Sequence, residues 1–176
     1  MLKPTICRFV ADLQFVETQL NFMTYLSNCE QKTLDFASTF SSSLKGGEVF
    51  LLDGTLGSGK SVFIRGIATG LGIKNRLTSP TFVIMKIYSV KKRNSSVKRL
   101  IHVDAYRVEA EDLFQIGLQE YLNDPQTAVF IEWGSKVEKK FKKSKINFTK
   151  IKIRKVKASA SGGNKLSDQE RQIIIE

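Results

Sequence analysis

Apolar positions take up a helical rhythm from Gln31, where Leu34, Ala37, Phe40 and Leu44 recur at three- and four-residue spacings that put them on one face. Lys45, Gly46 and Gly47 close that helix. Residues 48–53 are then nearly continuously apolar and short, the signature of a buried strand. A glycine-rich loop follows, and residues 61–71 read as a second helix ending between Gly70 and Gly72. Thr78, Ser79, Pro80 and Thr81 form a turn before an apolar run over residues 82–90, expected as a strand. A polar, hairpin-like connection spans residues 91–98. Residues 99–104 and 127–132 are two further strands, each ending in a carboxylate, with a helix expected between them over residues 109–122. Residues 146–156 and 171–176 look like late strands, joined by the Ser-, Gly- and Lys-rich stretch 158–165.

Upstream the rhythm is weaker. Phe9, Val10, Leu13, Val16 and Leu20 fit either an amphipathic helix or a loose arm, and Met23 offers an alternative start of translation. The expected organisation is therefore an N-terminal extension, residues 1–26, and one α/β domain, residues 27–176. Alternating strands and helices predict a mainly parallel central sheet flanked by helices.

The glycine-rich loop changes the picture from fold to chemistry. Gly54, Thr55, Leu56, Gly57, Ser58, Gly59, Lys60 and Ser61 match G-x-x-x-x-G-K-[ST], between a strand and a helix as a phosphate-binding loop requires. Glycines let backbone N–H groups wrap phosphates, and the helix N-terminus adds positive potential. Lys60 is expected to reach the β- and γ-phosphates and Ser61 to offer its hydroxyl to Mg²⁺. Such sites also use a strand-end carboxylate, for which Asp104 and Glu132 are equal candidates on residue type alone. Ser79 or Thr81 stands where a switch segment would sense the γ-phosphate. His102, the only histidine, shares a strand face with Asp104. Arg107 is placed to neutralise phosphate charge.

Composition narrows the alternatives. No apolar run approaches the about 20 residues of a membrane helix, and neither a signal peptide nor a disulfide or zinc framework is indicated by two cysteines and one histidine. A cytoplasmic protein is expected. The net charge of +11 is concentrated over residues 136–157, where Glu138 is the one acid among eleven Lys and Arg. That run reads as a solvated surface, or as a face for weak contact with RNA. A nucleoside or small-molecule kinase shares the loop, but the arginine-bearing lid such an enzyme needs is not evident. A nucleic-acid-binding module using nucleotide only structurally would rest on the basic run. No Asn-Lys-x-Asp element specifies guanine.

Gly47-Glu48, Asp53 with residues 54–61, Thr78-Ser79-Pro80-Thr81-Phe82, His102-Val103-Asp104-Ala105-Tyr106-Arg107 and Ile131-Glu132-Trp133 occur in that order. This succession resembles the TsaE (YjeE) family of P-loop ATPases, over about residues 30–156. The resemblance implies a P-loop NTPase-like fold and a weak Mg²⁺-dependent ATPase. It implies work beside TsaB and TsaD in forming threonylcarbamoyladenosine next to the tRNA anticodon, with tRNA met indirectly or weakly. By position it makes Gly54 through Ser61 the phosphate binders, Ser61 and Glu132 the magnesium residues and Asp104 an essential acid. Thr81 belongs to the switch segment, Thr33 lies near the nucleotide, and Trp133 faces nucleotide or partner. Ala105, Val108 and Gly134 depart from the family pattern, as do residues 1–26.

Overall fold

The computed structural model describes residues 23–74, 77–80, 82–156 and 170–176. Among these residues, seven strands form one sheet in the order β1-β7-β6-β2-β5-β4-β3. They are β1 (Met23–Ser27), β2 (Val49–Asp53), β3 (Met85–Ser89), β4 (Arg99–Asp104), β5 (Thr127–Glu132), β6 (Thr149–Lys155) and β7 (Arg171–Ile175). The inner four, β6, β2, β5 and β4, run parallel; β1, β7 and β3 add antiparallel edges. The mainly parallel α/β fold expected from the sequence is thus present.

Strand alternation divides the core. Phe50, Leu52, Leu100, Phe130, Ile151 and Ile173 face α1 (Glu30–Phe40) and α2 (Lys60–Gly70), while Val49, Leu51, Ile101, Val129 and Ile131 face α3 (Ala110–Gln115) and α4 (Ser135–Lys143). Phe63, Phe130 and Phe141 are fully buried; each such side chain is worth about 1.5–3 kcal/mol of transfer free energy. Phe50 and Phe130 stack across β2 and β5 with ring centroids 4.6 Å apart, tying the loop-bearing strand to its neighbour.

Several elements differ from the sequence expectation. Met23–Ser27 is an edge strand paired with β7, so the sheet starts inside the segment read as an extension. The expected helix over residues 109–122 stops at Gln115. Gly117, with φ +89°, breaks the helical path, and a 3-10 turn continues at Leu118–Glu120. The strand expected from residue 82 begins at Met85, because Val83 and Ile84 both donate to the Pro80 carbonyl in a tight turn. Ile84 there holds φ +65°, a strained conformation for a β-branched residue.

The first half of the basic run, to which the sequence assigned no element, is helix α4. Val137 and Phe141, one turn apart, bury its apolar stripe. Its lysines are also more opposed than the sequence suggested. Lys136 pairs with Glu109, Lys140 with Glu111, and Lys152 with Glu176, while Glu138 takes both Lys142 and Lys150. Hydrogen bonds from Lys142 and Lys150 hold the Glu138 carboxyl below the usual carboxylate range. Residue 157 and the connection 158–165 lie outside the described residues.

Candidate functional site: a phosphate-loop pocket

The topology brings the relevant strand ends together. β2 leads into the glycine-rich loop, and β5 runs beside it with Leu52 opposite Glu132. β4 flanks β5 on the other side, with Asp104 opposite Glu132. The chain leaves β2 through α2 and reaches β4 beyond the later-inserted β5, so a crevice opens at the carboxyl ends of the parallel strands.

Within the loop, Gly57 (φ +70°) makes a turn that side-chain-bearing residues rarely adopt. Gly54 is needed for a different reason: a Cβ there would lie 2.2 Å from the Ile153 carbonyl oxygen and 2.6 Å from Ser58 Oγ. Ser58 Oγ is buried with no hydrogen-bond partner. The loop ends on the first turn of α2, whose N-terminal amides face the same space.

Lys60, the first residue of α2, is 4% exposed. Its ammonium donates to the carbonyls of Gly54 (2.8 Å) and Thr55 (3.2 Å) and sits 3.9 Å from the centroid of the Trp133 ring. Burial holds its pKa below the ordinary lysine value; nearby Glu132, Asp104 and Asp53 oppose that shift. Ser61 Oγ donates to Glu132 Oε1 at 2.8 Å across 71 residues of sequence. Asp104 accepts the backbone N–H of Tyr106 at 3.0 Å. Asp53 accepts the N–H of Ser135 at the start of α4.

A pocket of about 450 Å³ gathers Leu56, Gly57, Ser58, Gly59, Lys60 and Ser61 with Ser79, Asp104, Tyr106, Arg107, Glu132 and Trp133. Both strand-end acids therefore meet the loop, and Ser79 and Arg107 join them. Gly54 and Thr55 touch the site through their carbonyls on Lys60. Thr33 does not line this pocket. Its hydroxyl bonds Ser27 Oγ, and it faces an adjoining space of about 170 Å³ behind Gly57 and Gly59 with Glu30 and Arg171. Thr81 lies outside the described residues.

Tyr106 and Val62 also line the pocket, and neither had been expected there as a site residue. The Tyr106 ring lies 4.9 Å from that of Trp133. Aromatic residues following both strand-end acids were the available signal. Trp133 itself holds φ +62°, a conformation costing of order 1–3 kcal/mol for a residue with a Cβ. That backbone turn carries its indole back over Lys60.

The donor set fits a phosphate ligand accompanied by magnesium. An orphaned serine hydroxyl, helix amides and a buried ammonium suit phosphate oxygens. A hydroxyl and one carboxylate suit Mg²⁺, which keeps several waters and binds through phosphates in such sites. The described residues contain no group of three or more His, Cys, Asp or Glu that could hold a metal ion. They also contain no helix long and apolar enough to cross a membrane.

Comparison with known proteins gives one consistent result. The family model described as threonylcarbamoyl adenosine biosynthesis protein TsaE matches residues 27–161. The tRNA threonylcarbamoyladenosine biosynthesis protein TsaE of Treponema pallidum (strain Nichols) is 37% identical over 116 residues, covering 65% of this chain and 81% of that protein. Its counterpart in Bacillus subtilis (strain 168) is 36% identical over 116 residues, covering 66% and 69%. In fold, the chain is similar to the crystal structure of Bacillus subtilis YdiB, with a TM-score of 0.63 and 24% identity over 90% of this chain and 87% of that one.

Proposed function

This chain belongs to the TsaE family, and on that premise we propose that it is the ATP-binding and ATP-hydrolysing subunit of the machinery that forms threonylcarbamoyladenosine beside the tRNA anticodon. The reading implies a cytoplasmic protein acting with TsaD and TsaB homologues, tRNA being met indirectly or weakly. One ATPase domain carries the chemistry. The observation that supports it best is the convergence of Lys60, Ser61, Glu132 and Asp104 on one pocket, with Ser61 and Glu132 already bonded.

Each residue has a distinct task. Loop amides and the α2 N-terminus hold the phosphate chain. Lys60 exchanges its bonds to the Gly54 and Thr55 carbonyls for phosphate oxygens, which compensate its buried charge better than neutral carbonyls do. Ser61 and Glu132 would hold Mg²⁺, which would supply charge neutralisation to the phosphates. Asp104 stands at the end of the neighbouring strand and orients the attacking water. Arg107 faces the same pocket and offsets the negative charge that develops on the leaving diphosphate. Trp133 and Tyr106 wall the pocket against solvent.

The decisive measurement is phosphate release from ATP by the full chain, with and without Mg²⁺, beside Lys60→Ala. Release that requires Mg²⁺ and falls by about 100-fold or more in the variant is expected, a loss typical of removing a main electrostatic stabiliser. Robust transfer to a nucleoside instead of water, or unaltered release by Lys60→Ala, would overturn the proposal.

A further inference from the structure

His102 is a buried titratable side chain for which the proposed hydrolysis provides no task. It lies on β4 with 1% of its surface exposed, and its Nε2 is 2.8 Å from Glu132 Oε1. Ser61 Oγ reaches that same oxygen, also at 2.8 Å. The other ring nitrogen, Nδ1, is buried with no hydrogen-bond partner. These three facts select a tautomer. A proton on Nδ1 would be a buried donor without an acceptor, and a bare Nε2 would then press its lone pair on a carboxylate oxygen. A proton on Nε2 removes both conflicts.

We propose that His102 is a positioning residue that donates Nε2–H to Glu132 Oε1 and so holds that oxygen against the Ser61 hydroxyl. The register explains the reach: Asp104 pairs with Glu132 and His102 with Phe130, so His102 stands one side-chain layer further from the strand ends than the two acids. From there it braces the Glu132 carboxylate from the core side while Ser61 meets it from α2. A glutamate has three side-chain torsions to fix, and two donors converging on one oxygen fix them where one would leave the carboxylate free to swing. The role in magnesium binding rests on the function proposed above; the hydrogen-bond direction does not.

His102 is the only histidine in the chain, so a long-range ¹H–¹⁵N spectrum of the full protein reports it without assignment work. Nε2 protonated and Nδ1 bare is expected. A ring protonated at Nδ1 alone, or an even mixture of tautomers, would overturn the proposal. In Glu132→Ala the spectrum should move toward a mixed tautomer population, and an unchanged spectrum counts against any such bond.

The second arm compares His102→Met, which fills space without a donor, with His102→Gln, whose amide supplies an N–H. The Mg²⁺ concentration that half-maximally tightens ATP binding should rise about tenfold in His102→Met, the lower range for loss of a side chain bracing a metal ligand. ATP affinity without Mg²⁺ should stay unchanged, and His102→Gln should recover most of the loss. Equal loss in both variants, or loss in neither, would leave His102 a space-filling residue. If the unaltered chain binds no Mg²⁺–ATP, the function proposal falls, and the spectra alone still decide the hydrogen bond.

Discussion

Asp104 and Glu132 end adjacent strands, stand opposite each other in register and are both nearly buried. Their surroundings differ. Glu132 accepts side-chain donors from two other elements, Ser61 of α2 and His102 of β4. The chain after it turns sharply at Trp133, and Gly134 then lies so close to β2 that a Cβ would meet the Leu51 Cβ at 2.4 Å. Asp104 accepts the backbone N–H two residues ahead, in a loop that soon emerges at Tyr106, 53% exposed. Glu132 is held by side chains of two other elements, whereas the partners of Asp104 include a backbone amide of the loop that follows it. Under the proposed function, the first arrangement would serve a metal-holding carboxylate and the second a carboxylate that meets the attacking water.

Removing the fixed acid should have the largest effect. Glu132→Ala leaves Ser61 and His102 without their shared acceptor, and Mg²⁺-dependent phosphate release should fall by about 100-fold or more. Leaving a buried donor unpaired should also cost about 1–3 kcal/mol, read in thermal or denaturant unfolding. Unchanged turnover would remove Glu132 from the site. Asp104→Asn comes next. ATP binding should persist while hydrolysis drops about ten- to a hundredfold, within the usual worth of a water-orienting or general-base group. Equal loss of binding and turnover would show that the two corners are alike after all. The smallest effect tests the packing behind Glu132: Gly134→Ala should destabilise the fold by about 1–3 kcal/mol as Leu51 and α4 separate. An unaltered unfolding midpoint would mean that this corner is no stiffer than its neighbour.

How far these corners could be read in advance follows from the range of the interactions. The loop from Gly54 to Ser61 is a local pattern, and so are the strands ending at Asp104 and Glu132; all three were legible. The same-face placement of His102 and Asp104 also follows from strand alternation alone. Which acid meets Ser61 depends on β5 inserting beside β2, a contact spanning 71 residues, and residue type could not choose between them. Resemblance favoured Glu132. Edge strand β1 escaped notice because its pairing with β7 joins opposite ends of the chain, and its five residues show no clean alternation by themselves. Helix α4 was hidden by its lysines: only Val137 and Phe141 mark its buried side. The acids that pair those lysines lie mostly in other elements, Glu109, Glu111 and Glu176, so the charge run looked barer than it is.

The turn at Trp133 has a practical consequence. The chain has one tryptophan, and its indole lies under the ammonium of Lys60 and beside Tyr106. Any ligand that draws Lys60 away alters the charge felt by that chromophore. The protein thus carries a built-in optical gauge at the mouth of its pocket, so occupancy can be followed by intrinsic emission without attaching a dye.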